Sequence, residues 1–92
     1  MHRPVRHRAN PKFWRFYDQL PPGVQKLADA NFALLKRDVH HPSLHFKKAG
    51  RFWSVRVGIH FRAVAVEKGA ELVWFWIGRH DEYESVIEGR QS

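Results

Sequence analysis

The segment Gly78-Arg79-His80-Asp81-Glu82-Tyr83 gathers titratable groups directly behind six consecutive apolar residues, Leu72 to Ile77. Histidine changes charge near neutrality, with an unperturbed pKa of about 6.5, so His80 is equipped to act as a general acid or base. Arginine is a permanent, forked cation matched to phosphate oxygens, and Arg56 and Arg62 stand on either side of a glycine, Gly58. Proton transfer beside anion binding is the chemistry these residue types support.

The charge balance points the same way. Of 92 residues, 16 are Lys or Arg and 9 are Asp or Glu, a formal charge of +7, and ten of the cations are arginine. Residues 1–66 hold 13 basic and 3 acidic side chains, whereas residues 67–92 hold 3 and 6. A basic body of this kind suits a polyanion, either nucleic acid or an acidic protein segment.

Other chemistries find less support. The chain has no cysteine, which removes disulfides and thiolate metal sites. His40, His41 and His45 crowd around Pro42, but adjacent histidines rarely converge on one ion and no carboxylate follows at ligand spacing, so no metal or other cofactor is expected. Asp81, Glu82 and Glu84 lack the paired geometry of glycoside hydrolysis, and no Gly-rich phosphate loop is present. The N-terminus lacks an apolar signal region and no run reaches bilayer length, so a soluble cytoplasmic protein with no membrane partner is expected.

The elements that position these groups follow from periodicity. Residues 1–10 read as a polar, basic arm and residues 11–92 as a single domain. Asn10 and Pro11 have the types of an N-cap and a first helical residue, and Phe13, Phe16, Tyr17 and Leu20 form an amphipathic stripe. Pro21-Pro22-Gly23 ends that helix. A second helix is predicted from Val24 to about Val39, with Val24, Leu27, Ala28, Leu34 and Leu35 on one face and Asn31 interrupting the stripe. From Phe52 to Val66 and from Leu72 to Gly78, β-branched and aromatic residues dominate, as strands prefer, and the shorter Ser43–Gly50 stretch is a candidate edge strand. The expected class is α+β: an N-terminal helical hairpin packed on one face of a three- to four-stranded, mainly antiparallel sheet.

Strand parity sorts the faces. The odd positions from Trp53 to Ile77 within these strands are all apolar and should face the helices. The even positions should share the opposite face, bringing Arg56, Arg62, Trp74, Trp76 and His80 together. This holds if both hairpin loops contain an odd number of residues, as a Lys68–Ala70 loop would. The two tryptophans on that face would form either a satellite core or partner surface, or a stacking platform for bases.

The order helix–helix–meander, the strands "FWSVRVGIHFRAV" and "VWFWIG", and the Gly78-x-His80-x-x-Tyr83 ending together resemble the RelE/ParE superfamily of type II bacterial toxins. The ending is most similar to the HigB-like and YafQ-like branches, and the resemblance covers roughly residues 12–87. It implies an endoribonuclease that cuts messenger RNA, usually on the ribosome, and that a cognate antitoxin holds inactive. Arg56 and Arg62 match the basic residues of the second strand and of the start of the next. His80 falls at the C-terminal His or Arg position, and Tyr83 at the tyrosine. Lys47, Lys48 and Arg51 match the basic loop before the sheet, while Ser54 stands where some relatives carry a catalytic lysine.

On that resemblance His80 is the general acid or base, Arg56 and Arg62 clamp the phosphate, and Tyr83 orients or stacks. Lys47, Lys48, Arg51, Arg79 and Trp76 are the expected RNA contacts. Metal-free RNA cleavage needs a deprotonated 2′-hydroxyl, neutralised phosphorane charge and a protonated leaving oxygen, which histidine and arginine together supply. The alternatives are a ParE-like inhibitor of DNA gyrase without nuclease activity, and a non-toxic relative that binds nucleic acid or an antitoxin.

Overall fold

The computed structural model describes residues 6–89. Strand β1 (Arg6–Ala9) leads into helix α1 (Pro11–Asp18) and helix α2 (Pro22–Arg37). A 3₁₀ turn at Pro42–Leu44 then precedes β2 (Lys47–Ala49), β3 (Phe52–Val57), β4 (Phe61–Lys68), β5 (Glu71–Arg79) and helix α3 (His80–Ile87). Three helices pack on a five-stranded mixed sheet of order β1-β5-β4-β3-β2.

Two differences from the expected architecture stand out. The polar N-terminal segment contributes a strand, and β1 pairs in parallel with β5 from Arg6↔Glu71 to Ala9↔Trp74. The sheet therefore has five strands, not three or four. Residues 1–5 of the expected arm lie outside the described residues. His7 helps to fix this edge: its Nδ1 accepts a hydrogen bond from Trp74 Nε1 at 3.1 Å, and its ring stacks on Trp74. Burial, assisted by Lys36, lowers the His7 pKa below its ordinary value, which favours the neutral ring that this bond requires.

The first helix starts where its cap residues dictate. Asn10 Oδ1 accepts from the Phe13 amide at 2.9 Å and Pro11 sits in the first turn. The second helix begins at Pro22, ahead of the expected Val24, because proline fits a first helical position. Asn31, the residue that breaks its apolar stripe, reaches the sheet and donates through Nδ2 to the Arg56 carbonyl at 2.9 Å.

The sheet faces obey parity up to one irregularity. The β3–β4 hairpin has the expected odd loop, Gly58–His60, and Arg56 pairs directly with Arg62. The β4–β5 hairpin instead has a two-residue loop, Gly69-Ala70, between paired Lys68 and Glu71. Gly69 has φ 60°, the left-handed conformation glycine adopts without a steric cost. This one-residue shift is undone by a β-bulge: Ala65 pairs with Trp74 and Val64 with Trp76, leaving Phe75 as the extra residue.

The bulge puts Trp74 and Trp76 on opposite faces. Trp74 lies in the main core with Ala28, Leu35, Leu44, Val55 and Ile77. Trp76 lies in a second core under α3 with Phe52, Val64, Tyr83 and Val86, and Phe75 packs against that same cluster. The expectations that Trp74 faces the arginines and that Phe75 packs toward the helical hairpin are thereby corrected.

Candidate functional site

Three elements converge on the α3 face of the sheet. Arg56 at the end of β3 and Arg62 at the start of β4 are cross-strand partners, and Arg62 pairs on its other side with Gly78 of β5. The β5 strand runs straight into α3, so His80 stands at the first turn of that helix, with Arg79 as its N-cap residue. Arg56, Ile59, His60, Arg62, Arg79, His80 and Asp81 line an open cleft of about 520 Å³.

Arg62 is the buried member, 7% exposed. Its Nη1 donates to Ser54 Oγ at 3.2 Å, Ser54 Oγ shares a 3.2 Å hydrogen bond with Tyr83 OH, and the guanidinium lies 5.0 Å from the centre of the Tyr83 ring. Its Nε is buried without a hydrogen-bond partner among the described residues. Burial draws the Arg62 pKa below its usual value, while Tyr83 opposes this shift and Arg56 adds to it. Neither Arg56 nor Arg62 has an ion-pair partner among the described residues, where the acid in the cleft, Asp81, pairs with Arg79 at 3.7 Å. Like charges directly opposite each other destabilise a strand pair, so this arrangement favours an anionic ligand between them.

The remaining predicted residues divide. Lys47 pairs across the strand with Ser54 and its Nζ stands 5.9 Å above the Tyr83 ring, so it joins the face of Arg62. Lys48 points to the other face, over Trp53, because it is one residue out of phase. Arg51 sits in the β2–β3 turn over Phe52, four residues up the strand from Arg56. Tyr83 is buried and meets the cleft only through Arg62, Ser54 and its stacking on His80, with ring centres 6.1 Å apart. Trp76, 2% exposed beneath α3, is packed in the second core, so its ring does not reach the cleft as the stacking reading would require.

Two histidines outside the expected site residues lie at the cleft or beside it. His60 lines the cleft, and its carbonyl accepts from the His80 amide at 2.7 Å, clamping the β3–β4 hairpin to α3. His45 has a left-handed backbone, φ 45°, and its Nε2 lies 3.2 Å from Arg56 Nη1. An arginine only donates, so His45 Nε2 is the acceptor. No sequence signal marks either contact; the crowding of histidines around Pro42 was the nearest hint. His41 is engaged elsewhere, accepting from Ser43 as the cap of the 3₁₀ turn. Among the described residues no three His, Cys, Asp or Glu groups are placed to hold a metal ion.

A groove of similar size, about 530 Å³, lies on the other side between α2 and the sheet, and its two acids and His7 are engaged. Glu67 accepts from Trp53, Glu71 pairs with Arg8 and His7 accepts from Trp74.

Gly78 leaves the room that Trp76 fills. A Cβ there would stand 2.6 Å from the Trp76 ring, closer than packed atoms tolerate. Overpacking of this kind costs about 1–3 kcal/mol, so Gly78→Ala is expected to lower the melting temperature by several degrees in a thermal unfolding experiment.

A mixed sheet with a helical hairpin on one face and a C-terminal helix on the other is a fold this chain shares with solved toxin structures. The chain matches a RelB–RelE antitoxin–toxin complex from Methanococcus jannaschii with a TM-score of 0.67 at 12% identity, over 86% of this chain and 96% of that one. It matches a mutant of the Escherichia coli RelE toxin in the free state with a TM-score of 0.65 at 7% identity, over 95% and 93%. A YoeB/ParE toxin from Agrobacterium tumefaciens matches with a TM-score of 0.62 at 14% identity, over 83% and 99%. By sequence, no family model and no curated protein matches the chain. At these identities the likeness is one of fold. No helix among the described residues is long and apolar enough to cross a membrane.

Proposed function

We propose that this protein is a toxin of the type II class that cleaves messenger RNA on the ribosome, with the Arg56–Arg62 cleft as its active site. The observation that carries the reading is the cross-strand pair Arg56↔Arg62, two cations with no acidic partner among the described residues, beside the exposed imidazole of His80. The arginines hold the scissile phosphate and offset the charge that develops on it, the role for which forked donors are suited. His80 takes the 2′-hydroxyl proton or delivers one to the 5′-oxygen. Tyr83 and Ser54 act as positioning residues by fixing Arg62, and Lys47 adds a cation on the same face. An antitoxin is the proposed partner, as in the RelB–RelE complex whose fold the chain shares. The HigB-like or YafQ-like assignment rests on the Gly78-x-His80-x-x-Tyr83 ending alone.

Induced expression in a bacterial host, with primer extension on a reporter messenger, tests this. Wild type is expected to arrest growth and to cut within the reading frame. His80→Ala is expected to lose both, since general acid–base catalysis contributes about 10²–10⁴-fold. Arrest with intact messenger in both strains would reject the ribonuclease and favour a gyrase-directed, ParE-like action.

A further inference from the structure

Ile59, at the tip of the β3–β4 hairpin, is 73% exposed, more than Trp14 or Leu27, the other exposed large apolar side chains among the described residues. Isolated exposed apolar residues are ordinary and call for no account. Ile59 differs by its place, because it lines the same cleft as Arg56, Arg62 and His80. The tip that carries it is also tied down from both helical sides. Asn31 of α2 donates to the Arg56 carbonyl at 2.9 Å, and Leu27 Cδ1 packs 3.1 Å from where a Cβ on Gly58 would stand. From α3, the His80 amide donates to the His60 carbonyl at 2.7 Å. A hairpin tip held this way keeps an apolar side chain in water at a fixed distance from two phosphate-binding cations.

A ligand that satisfies both needs an anionic group for the arginines and, next to it, a flat apolar face. A nucleotide with its base unstacked has both. We propose that Ile59 is the base-contacting residue of this cleft, packing on the face of the nucleobase adjacent to the phosphate held by Arg56 and Arg62. This rests on the ribonuclease reading and adds a subsite to it. It also defines the substrate: single-stranded RNA offers such a base face, whereas in duplex RNA both faces are covered by stacking.

The test is the binding of a 2′-O-methylated oligouridylate, which lacks the attacking hydroxyl, and of the same backbone without bases. Ile59→Ser, a change at an exposed tip, is expected to weaken binding of the base-bearing strand about tenfold and to leave the abasic strand unaffected. The salt slope should stay at the wild-type value, because no phosphate contact is lost. Arg56→Ala should weaken both strands and reduce the slope by about 0.7. If Ile59→Ser binds the base-bearing strand like wild type while Arg56→Ala does not, the base contact is refuted and the phosphate clamp stands. If wild type and Arg56→Ala bind both strands equally weakly and without salt dependence, the ribonuclease reading falls and the base contact with it. If Ile59→Ser abolishes growth arrest with RNA binding intact, the tip faces a protein partner and the base contact is again refuted.

Discussion

Replacing Arg62 by methionine is expected to slow RNA cleavage about 10²–10³-fold and, in the same variant, to raise the melting temperature. The two effects have one origin. Arg62 is buried to 7% exposure with an unpartnered Nε, and Arg56 stands directly across the strand pair. Among the described residues its compensation is one hydrogen bond to Ser54 and the face of Tyr83. Replacing a buried ion by an apolar side chain of similar volume is commonly neutral or stabilising by about 1–4 kcal/mol. The Tyr83 contact argues for the low end, about 1 kcal/mol, which in a domain of this size is an increase of about 4–8 °C. The same substitution removes a preorganised cation from the phosphate, a loss worth about 10²–10³-fold in rate. Single-turnover cleavage and thermal unfolding on the same preparation read both effects. A melting temperature that falls instead would mean that Arg62 chiefly holds α3 to the sheet through Tyr83, a structural and not a functional cation.

The arginine pair was legible in the sequence, and it is instructive why. Arg56 and Arg62 are symmetrical about Ile59, so an odd loop at Gly58 was enough to oppose them. Further along, two departures cancelled. The Gly69-Ala70 turn is one residue shorter than expected, and Phe75 is one residue too many in β5, so strict alternation returns at Trp76 and delivers Gly78 beside Arg62. Only the stretch between the two departures runs against simple parity, which is why Trp74 lies on the face opposite to the expected one. The bulge itself leaves no local mark, since Trp74, Phe75 and Trp76 are equally good strand formers. The non-local parts were equally silent. β1 is four polar or small residues whose partner strand begins at Glu71, and no periodicity in Arg6–Ala9 announces that pairing. His45 reaches Arg56 through a left-handed backbone, which histidine adopts more readily than most residues but still uncommonly, so the sequence does not announce it. Asn31, by contrast, was visible as an anomaly: a polar residue breaking an apolar stripe, resolved by its bond to the Arg56 carbonyl.

Trp76 decides whether the second core is part of the site or only its foundation. The ring is 2% exposed, meets Phe16 edge-on at 6.3 Å, and shares a cluster with Val64, Tyr83 and Val86. Trp76→Ala is therefore expected to cost about 3–5 kcal/mol, a large share of the roughly 5–15 kcal/mol that holds a small domain together. The Trp76 ring is the largest side chain of the cluster beneath α3. Loss of the ring should loosen the helix that carries His80 and Tyr83, and cleavage should disappear together with helix docking. Trp76→Leu separates the two roles, because leucine refills much of the space yet cannot stack on a base. Chemical denaturation of this variant should show a smaller loss, and RNA affinity measured in the cold, where it remains folded, should equal that of wild type. A clear drop in affinity with stability preserved would mean that α3 lifts away in the bound state and exposes Trp76 to RNA. Equal affinity would assign recognition to the groups that reach solvent, namely Arg56, Ile59 and His80, with Trp76 holding their positions from below.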